Sequence, residues 1–242
     1  MTAKNIDTPN EFYKYRNFNN NTLESLIEGV IWCARPSSFN DPFDCSFYVE
    51  PDLSYEEVKS RNKHATQFNY LELQESFVKA IYTDFGVGGI FSLSLKRNVS
   101  LMWSHYADSH KGLCIGYGAS PDNDLGRMCH EVNYDKYPKF TLRQLFHAMN
   151  NRDSEMSRDI FKKMVLSKDK NWKYEFEWRV IYSENCDMLI KPNFKVISIT
   201  FGMLMPSWQR EIIKGIVAKD MKYFEAVKTK DSYDVQVIEL RI

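Results

Sequence analysis

Two glutamates and an arginine lie close together in the segment Tyr174–Tyr182, which reads YEFEWRVIY. Alternate side chains of a β-strand share a face, so Glu175, Glu177 and Arg179 are expected to project together, with the four intervening apolar side chains in the core. The two carboxylates would stand ~7 Å apart, close enough for both to act on one bound sugar ring. One carboxylate could stabilise a positive charge while the other takes a proton. The alternative is a solvent-exposed strand face on which the arginine offsets the two glutamates.

A second candidate segment is 39–44, which reads FNDPFD. An Asx residue before proline favours a tight turn, and the two phenylalanines would fix that turn to the core. Asn40, Asp41 and Asp44 could bind ribose hydroxyls or a divalent cation. The alternative is a purely structural Asx-Pro turn.

A third candidate segment is 101–112, which reads LMWSHYADSHKG and has the spacing of a helix. His105 and Asp108 form an i, i+3 pair that could orient the imidazole ring, while Tyr106 falls on the expected buried face. We include His105 and Tyr106 among the candidate nucleotide-binding residues. The alternative is a structural histidine on a helix that only packs.

Three further polar side chains and a basic run complete the candidate set. Ser92 and Ser94 share one face of a predicted strand, where paired hydroxyls could support a carboxylate. Arg16 ends the first predicted strand and could bind a phosphate or carboxylate through two hydrogen bonds. The lysines of 168–173 are typical of a solvated loop, or of a surface that steers an anionic substrate.

The composition is that of an ordinary globular protein. The chain has 242 residues, 43% of them hydrophobic, and 32 basic and 32 acidic residues give zero formal charge. This balance excludes disordered and fibrous classes, and it predicts one domain over residues 1–242. With no net charge, nucleic acid or anionic lipid would need a local basic patch.

The cysteines and the hydropathy pattern predict a cytoplasmic protein without a membrane segment. The five cysteines are scattered, without a CxxC pair, so we predict no zinc or other metal site and expect reduced thiols. The first ten residues lack an apolar signal core, and no apolar run approaches the ~20 residues needed to cross a bilayer.

The elements that would position these residues alternate without repeats. Strands are predicted at 11–16, 30–34, 90–95, 113–117, 128–134, 175–182, 194–201 and 233–241. Helices are predicted to begin at Asn21, Ser54, Asn69 and Ser100, to span 141–150 and 155–166, and to begin again at Pro206. This order predicts an α+β fold with a mainly antiparallel sheet of about seven strands and five or six flanking helices. The sequence has no GxGxxG or GK[ST] motif, so it offers no Rossmann or P-loop turn.

Four blocks carry a family resemblance over nearly the whole chain. The blocks YKYR, FNDPFD, MWSHYADSHKG and WKYEFEWR resemble a bacterial family catalogued as domain of unknown function 2971. That resemblance implies kinship without an activity.

A second resemblance concerns the order of the candidate residues. Arg16, then Ser92-Leu93-Ser94, then Glu175-Phe176-Glu177 is similar to the Arg, STS, ExE order of the arginine–serine–glutamate class of ADP-ribosyltransferases, although leucine replaces the central threonine. The resemblance implies a split sheet, NAD as substrate, Arg16 as the anchor of NAD and serines that brace the cleft. It also implies Glu177 as the catalytic glutamate and Glu175 as the group that activates the acceptor.

Three functions therefore remain open from the sequence. The first is an NAD-consuming ADP-ribosyltransferase or NAD glycohydrolase, acting as a toxin or phage-defence effector on a nucleic acid or protein acceptor. The second is a metal-dependent hydrolase or nuclease built on Asp41, Asp44, Glu175 and Glu177. The third is a non-enzymatic module that binds a nucleotide or a protein.

Overall fold

A computed structural model describes residues 9–50, 52–54, 56–57, 60, 72, 89–134, 137–150, 155–182 and 187–241. The helix predicted to begin at Asn69 lies outside these residues. At Ser54, where a helix is predicted to begin, a capping box forms, because the backbone N–H of Ser54 donates to Glu57 at 2.9 Å and that of Glu57 donates to the Ser54 hydroxyl at 3.2 Å.

The described elements are twelve strands, six α-helices and two 3-10 helices. The strands are β1 Glu11–Arg16, β2 Ile31–Cys33, β3 Tyr48–Glu50, β4 Gly89–Ser94, β5 Leu113–Gly118, β6 Cys129–Glu131, β7 Lys139–Thr141, β8 Glu177–Tyr182, β9 Met188–Ile190, β10 Val196–Phe201, β11 Lys222–Lys228 and β12 Val235–Leu240. The α-helices are α1 Asn20–Glu28, α2 Ser100–Tyr106, α3 Asp124–Met128, α4 Leu142–Asn150, α5 Glu155–Val165 and α6 Ser207–Ile216. The 3-10 helices are Pro36–Ser38 and Lys170–Glu175.

Eight strands form the main sheet, in the order β12-β11-β10-β5-β1-β4-β8-β6. All its neighbours are antiparallel except β10 and β11. Two small sheets pair β2 with β9 and β3 with β7. The predicted α+β class with a mainly antiparallel sheet is therefore confirmed. Strand β11 and the strands of the small sheets other than β2 are not among the predicted strands, and most of them are too short to show alternation.

The main sheet is weakest between β1 and β4. Their register contains one residue pair, Tyr13 with Ser94, whereas β1 and β5 share six. Beyond that pair, side chains of β1 bind backbone carbonyls of the neighbouring segment. Lys14 Nζ donates to the Ser92 carbonyl at 2.6 Å, and the Tyr15 hydroxyl donates to the Lys96 carbonyl at 2.9 Å. The sheet is thus close to divided at this point, and a cavity opens between the two strands.

Local signals place most elements within a few residues of their predicted bounds. Helix α1 begins one residue before Asn21, because Asn19 accepts the Thr22 N–H at 3.0 Å and is the N-cap. It ends at Glu28, and Gly29, with a φ of 64°, is its left-handed C-cap. Helix α2 stops at Tyr106 rather than near His110, because Asp108, Ser109 and His110 all take positive φ.

The core lies on both faces of the main sheet. Phe12, Leu113, Ile115, Ile199 and Phe201 are at most 1% exposed and belong to the largest cluster. On the opposite face Trp103 of α2 is fully buried and packs edge-on against Tyr15 at 5.2 Å. A third cluster forms where α4 and α5 pack beside β3 and β7. Strands β1, β4 and β8 are therefore held between packed layers.

Candidate functional site

A cavity of about 330 Å³ lies in the gap between β1 and β4. Eight of the ten candidate residues line it: Arg16, Asn40, Asp44, Ser92, Ser94, Tyr106, Glu175 and Glu177. They come from β1, β4, α2, the FNDPFD loop and the segment that leads into β8. The structure thus brings residues up to 161 positions apart to one cavity, as the candidate chemistry requires.

Arg179 holds the acidic side of this cavity in place. Its side chain is fully buried, and its guanidinium donates to both oxygens of Glu177 at 2.8 and 3.0 Å and to both oxygens of Asp44 at 2.8 Å. The remaining nitrogen donates to the Val165 carbonyl at 2.7 Å and to the Cys45 sulfur at 3.1 Å. A guanidinium with five donors in one plane suits this geometry.

Lys168 closes the same network from the other side. Its ammonium lies 2.5 Å from Glu175, 2.9 Å from Glu177 and 3.3 Å from Asp44, and its side chain is 6% exposed. The expectation of a solvated loop lysine is therefore wrong for Lys168, because three carboxylates surround it. We call Asp44, Lys168, Glu175, Glu177 and Arg179 the buried charge cluster.

Glu175 reaches the cluster by a different route from the one predicted. It ends the 3-10 helix Lys170–Glu175, and Phe176 takes a left-handed conformation with φ of 46°, so strict alternation begins only at Glu177. Phe176 is 37% exposed instead of buried, and Lys96 lies 4.0 Å from its ring centroid. A solvent-exposed face carrying Glu175, Glu177 and Arg179 is excluded, since these residues are at most 4% exposed.

The two glutamates differ in electrostatic environment. Burial by itself would raise the pKa of Glu177, but the charges and hydrogen bonds of Arg179 and Lys168 outweigh burial and hold that pKa well below its ordinary value. For Glu175, burial dominates, and with the charge of Glu177 it raises the pKa despite Lys168. Two adjacent carboxylates with pKa values displaced in opposite directions can divide electrostatic and proton-transfer roles.

Uncharged polar groups orient Glu175 from the other sides. The Tyr106 hydroxyl donates to Glu175 Oε1 at 2.6 Å, and Asn40 Nδ2 donates to the Tyr106 oxygen at 3.3 Å. Ser94 Oγ donates to the Glu175 carbonyl at 2.6 Å. The Ser94 hydroxyl therefore contacts the backbone of Glu175 and not its carboxylate, so the expected support of a carboxylate by this hydroxyl does not form.

The β1 side of the cavity, which we call the basic wall, carries two basic side chains. Arg16 Nε donates to the Thr22 hydroxyl at 3.3 Å, and Lys14 lines the same wall two residues earlier on β1. Sequence reasoning missed Lys14. Its spacing from Arg16 placed both on one strand face and could have found it.

Asp41 lies away from the main cavity. Its carboxylate accepts the Trp172 indole N–H at 2.6 Å and the Phe43 backbone N–H at 2.9 Å, which confirms the predicted Asx turn. Asp41 lines a neighbouring cavity of about 590 Å³ that shares Lys168 with the first. Phe43 is 70% exposed, so the expectation that it fixes the turn to the core is wrong. Asp44, which Arg179 pairs with, is the buried residue of this loop.

His105 also lies outside the main cavity. It is exposed on α2, with its ring 6.3 Å from the rings of Tyr106 and Tyr174. Among the described residues no hydrogen bond or ion pair joins it to Asp108, which lies beyond the end of α2 with a φ of 46°. The i, i+3 pair expected from helical spacing therefore does not form.

The described residues contain no group of three or more His, Cys, Asp or Glu side chains arranged to hold a metal ion. The three carboxylates that converge do so on Lys168 and Arg179. In the same part of the chain, no helix has the length and apolarity that a membrane crossing requires.

Comparisons with known proteins identify a family for one third of the chain. No curated protein and no solved structure matched the sequence. Residues 102–180 match the family model described as a protein of unknown function, DUF2971, and this segment runs from α2 to β8, including Tyr106, Lys168, Glu175 and Glu177. The predicted family resemblance is thereby confirmed over this segment, which covers one third of the chain.

Proposed function

We propose that this protein is an NAD-consuming enzyme, an ADP-ribosyltransferase or NAD glycohydrolase, and that the cavity between β1 and β4 is its active site. The observation that carries the proposal is the meeting of Arg16, Ser94 and Glu177, from three neighbouring strands, in one cavity. The near division of the sheet between β1 and β4 supports it as well, because the transferase resemblance implies a split sheet.

The ionised carboxylate of Glu177 suits the bond-breaking step. When the bond between nicotinamide and ribose C1′ breaks, the bonding electrons leave with the nicotinamide and the ribose takes on oxocarbenium character. A fixed negative charge close to that ribose stabilises the transition state more than the ground state. The low pKa of Glu177 keeps its carboxylate charged at neutral pH, and Arg179 fixes its orientation.

Glu175 suits the proton transfer that follows. Water, or a hydroxyl or amine of the acceptor, forms the new bond to C1′ and gives up a proton. A carboxylate with a raised pKa is a better base than an ordinary one, provided that it is ionised when the proton arrives. The Tyr106 hydroxyl and Lys168 hold Glu175 in position for this role.

The biological role that we propose rests on this proposed chemistry. An enzyme that cleaves NAD or transfers ADP-ribose inside a cell either depletes the cofactor or modifies a macromolecule. We therefore propose a toxin or phage-defence effector, with a nucleic acid or a protein as the acceptor.

The test is nicotinamide release. Purified protein incubated with NAD should release nicotinamide, as measured by chromatography, and Glu211→Gln should do the same, because Glu211 is an exposed residue of α6 remote from the cavity. Parallel reactions with nucleic acid or protein distinguish transfer of ADP-ribose to an acceptor from its release into solution. Absence of nicotinamide in every arm would refute the proposal.

The two alternatives have weaker support. A metal-dependent hydrolase would use carboxylates that already pair with Lys168 and Arg179. A binding module without catalysis would be favoured if Glu175 and Glu177 lay exposed on the outer surface, but both are buried beside the cavity. The same incubation with Mg²⁺ or Mn²⁺ and a nucleic acid substrate tests the hydrolase.

A further inference from the structure

The basic wall of the cavity holds two cations without a carboxylate partner. Among the described residues, the polar partner of Lys14 is the Ser92 carbonyl and that of Arg16 is the Thr22 hydroxyl, and neither residue forms an ion pair. The terminal nitrogens of Arg16 donate to none of the described residues. Each basic side chain of the buried charge cluster, by contrast, pairs with at least two carboxylates.

The charge balance leaves this pair only partly compensated. The buried charge cluster has three acidic and two basic members. Adding Lys14 and Arg16 gives one positive charge in excess when all groups are ionised, and the excess lies on the β1 side. Unpaired charge that lines a cavity is costly unless a ligand neutralises it.

The geometry of β1 presents both cations to the same ligand. Residues two apart on a strand share a face and stand ~7 Å apart along it. Lys14 and Arg16 both line the cavity, with Ser92 opposite. An arginine binds phosphate oxygens through two parallel hydrogen bonds and a lysine acts as a point charge, so the pair can hold the two phosphates of a diphosphate.

We propose that Lys14 and Arg16 form a two-cation site that binds the diphosphate group of the substrate, with Lys14 as a binding residue beside Arg16. This inference rests on the proposed function, since it names the part of NAD that the β1 wall receives. It extends that function by giving Lys14 a role and by making substrate binding dependent on the protonation of Lys14.

The surroundings of Lys14 set the pH range of this dependence. Burial and the adjacent Arg16 lower its pKa to about 8, while Glu177, Glu175 and the Cys33 thiol, which face it from β8, the segment before β8 and β2, oppose the shift. The Phe91 ring of β4 lies 5.1 Å away. A lysine whose pKa is lowered is charged below that pKa and loses its charge as the pH rises through it. Anion binding should therefore be strong near pH 7 and weaken above pH 8.

Binding of ADP-ribose, measured by calorimetry between pH 7 and pH 9.5, tests the proposal. Its diphosphate keeps the same charge over this range, and no turnover is needed. Wild-type affinity should fall about 10- to 30-fold across the range, because the protonated fraction of Lys14 drops about tenfold for each pH unit above its pKa. Lys14→Arg, whose guanidinium stays charged over this range, should show a flat pH profile.

Two methionine variants separate the site from general charge effects. Lys14→Met should weaken binding at pH 7 by about 10- to 100-fold, the loss expected for one charge-assisted contact. Lys222 is exposed on β11, which two strands, β10 and β5, separate from β1 in the main sheet. Lys222→Met should therefore bind ADP-ribose with the affinity of the wild type. If Lys14→Met does not fold, the pH dependence of ADP-ribose binding by Lys14→Arg tests the proposal by itself.

Any one of three results would overturn the proposal. The first is that the wild type does not bind ADP-ribose at millimolar concentration. The others are that Lys14→Met binds ADP-ribose with an affinity within twofold of the wild type, or that the affinity of Lys14→Arg falls with rising pH as steeply as that of the wild type. Its failure is distinct from failure of the proposed function. Nicotinamide release with an unchanged KM in Lys14→Met refutes only the diphosphate site. Binding of ADP-ribose that depends on Lys14, without nicotinamide release, refutes only the enzyme.

Discussion

Replacing Arg179 with methionine should lower the free energy of unfolding by about 3–5 kcal/mol, the usual effect of breaking a buried ion pair by removing one partner. The substitution leaves Asp44 and Glu177 buried with Lys168 as their remaining cation. It also leaves the Val165 carbonyl without the donor that Arg179 supplies. Chemical denaturation monitored by tryptophan fluorescence measures the change.

Arg179→Lys is the matched variant for this experiment. It keeps the charge but loses the planar fork that contacts Asp44 and Glu177 at the same time, so its stability should fall between those of the wild type and Arg179→Met. A loss below 1 kcal/mol for Arg179→Met would contradict the account, because it would mean that the buried charge cluster does not depend on its central cation.

Replacing Glu177 with glutamine should lower kcat for NAD cleavage by about 10²–10³-fold, the effect of removing one electrostatic contact that forms in the transition state. KM should change little, because the carboxylate acts on charge that develops only during bond breaking. Single-turnover and steady-state measurements of nicotinamide release separate the two parameters.

The stability of this variant needs its own measurement. Glutamine is close to isosteric and can still accept from Arg179, but it removes one negative charge from the cluster. We therefore expect a lower melting temperature, and the assay should be run well below it. A kcat within threefold of the wild type in the folded variant would exclude Glu177 from the catalytic step.

The sequence predicted the positions of helices and strands better than it predicted the burial and contacts of their side chains. Apolar stripes located α4 and α5 within one residue of their observed bounds, at Leu142–Asn150 and Glu155–Val165. Alternation located β8 but missed the turn at Phe176, because the sequence carries no glycine or proline there to indicate a left-handed residue. The sequence therefore predicted that Glu175 and Glu177 lie close together, but for the wrong reason. They were expected to alternate on one strand, whereas in the structure Glu175 precedes the strand and the turn at Phe176 brings it to Glu177.

The burial of the charged strand face could not be predicted from local sequence. Glu177 and Arg179 alternate with apolar residues just as a half-exposed strand would. Their face is buried because α5, through the Val165 carbonyl, and the FNDPFD loop, through Asp44, cover it. Val165 lies 14 positions from Arg179 along the chain, and Asp44 lies 135 positions from it. The hydrophobic periodicity of a single strand carries no information about such contacts. The role of Lys168 depends on the same tertiary contacts.

The most direct test of the account is a crystal structure of the Glu177→Gln variant with NAD bound. We expect the nicotinamide ribose to lie within hydrogen-bonding distance of the side chain at position 177, with the diphosphate on Arg16 and Lys14. Density for NAD on another surface, or a ribose remote from position 177 with the cavity between β1 and β4 empty, would contradict the assignment of this cavity as the site of NAD cleavage.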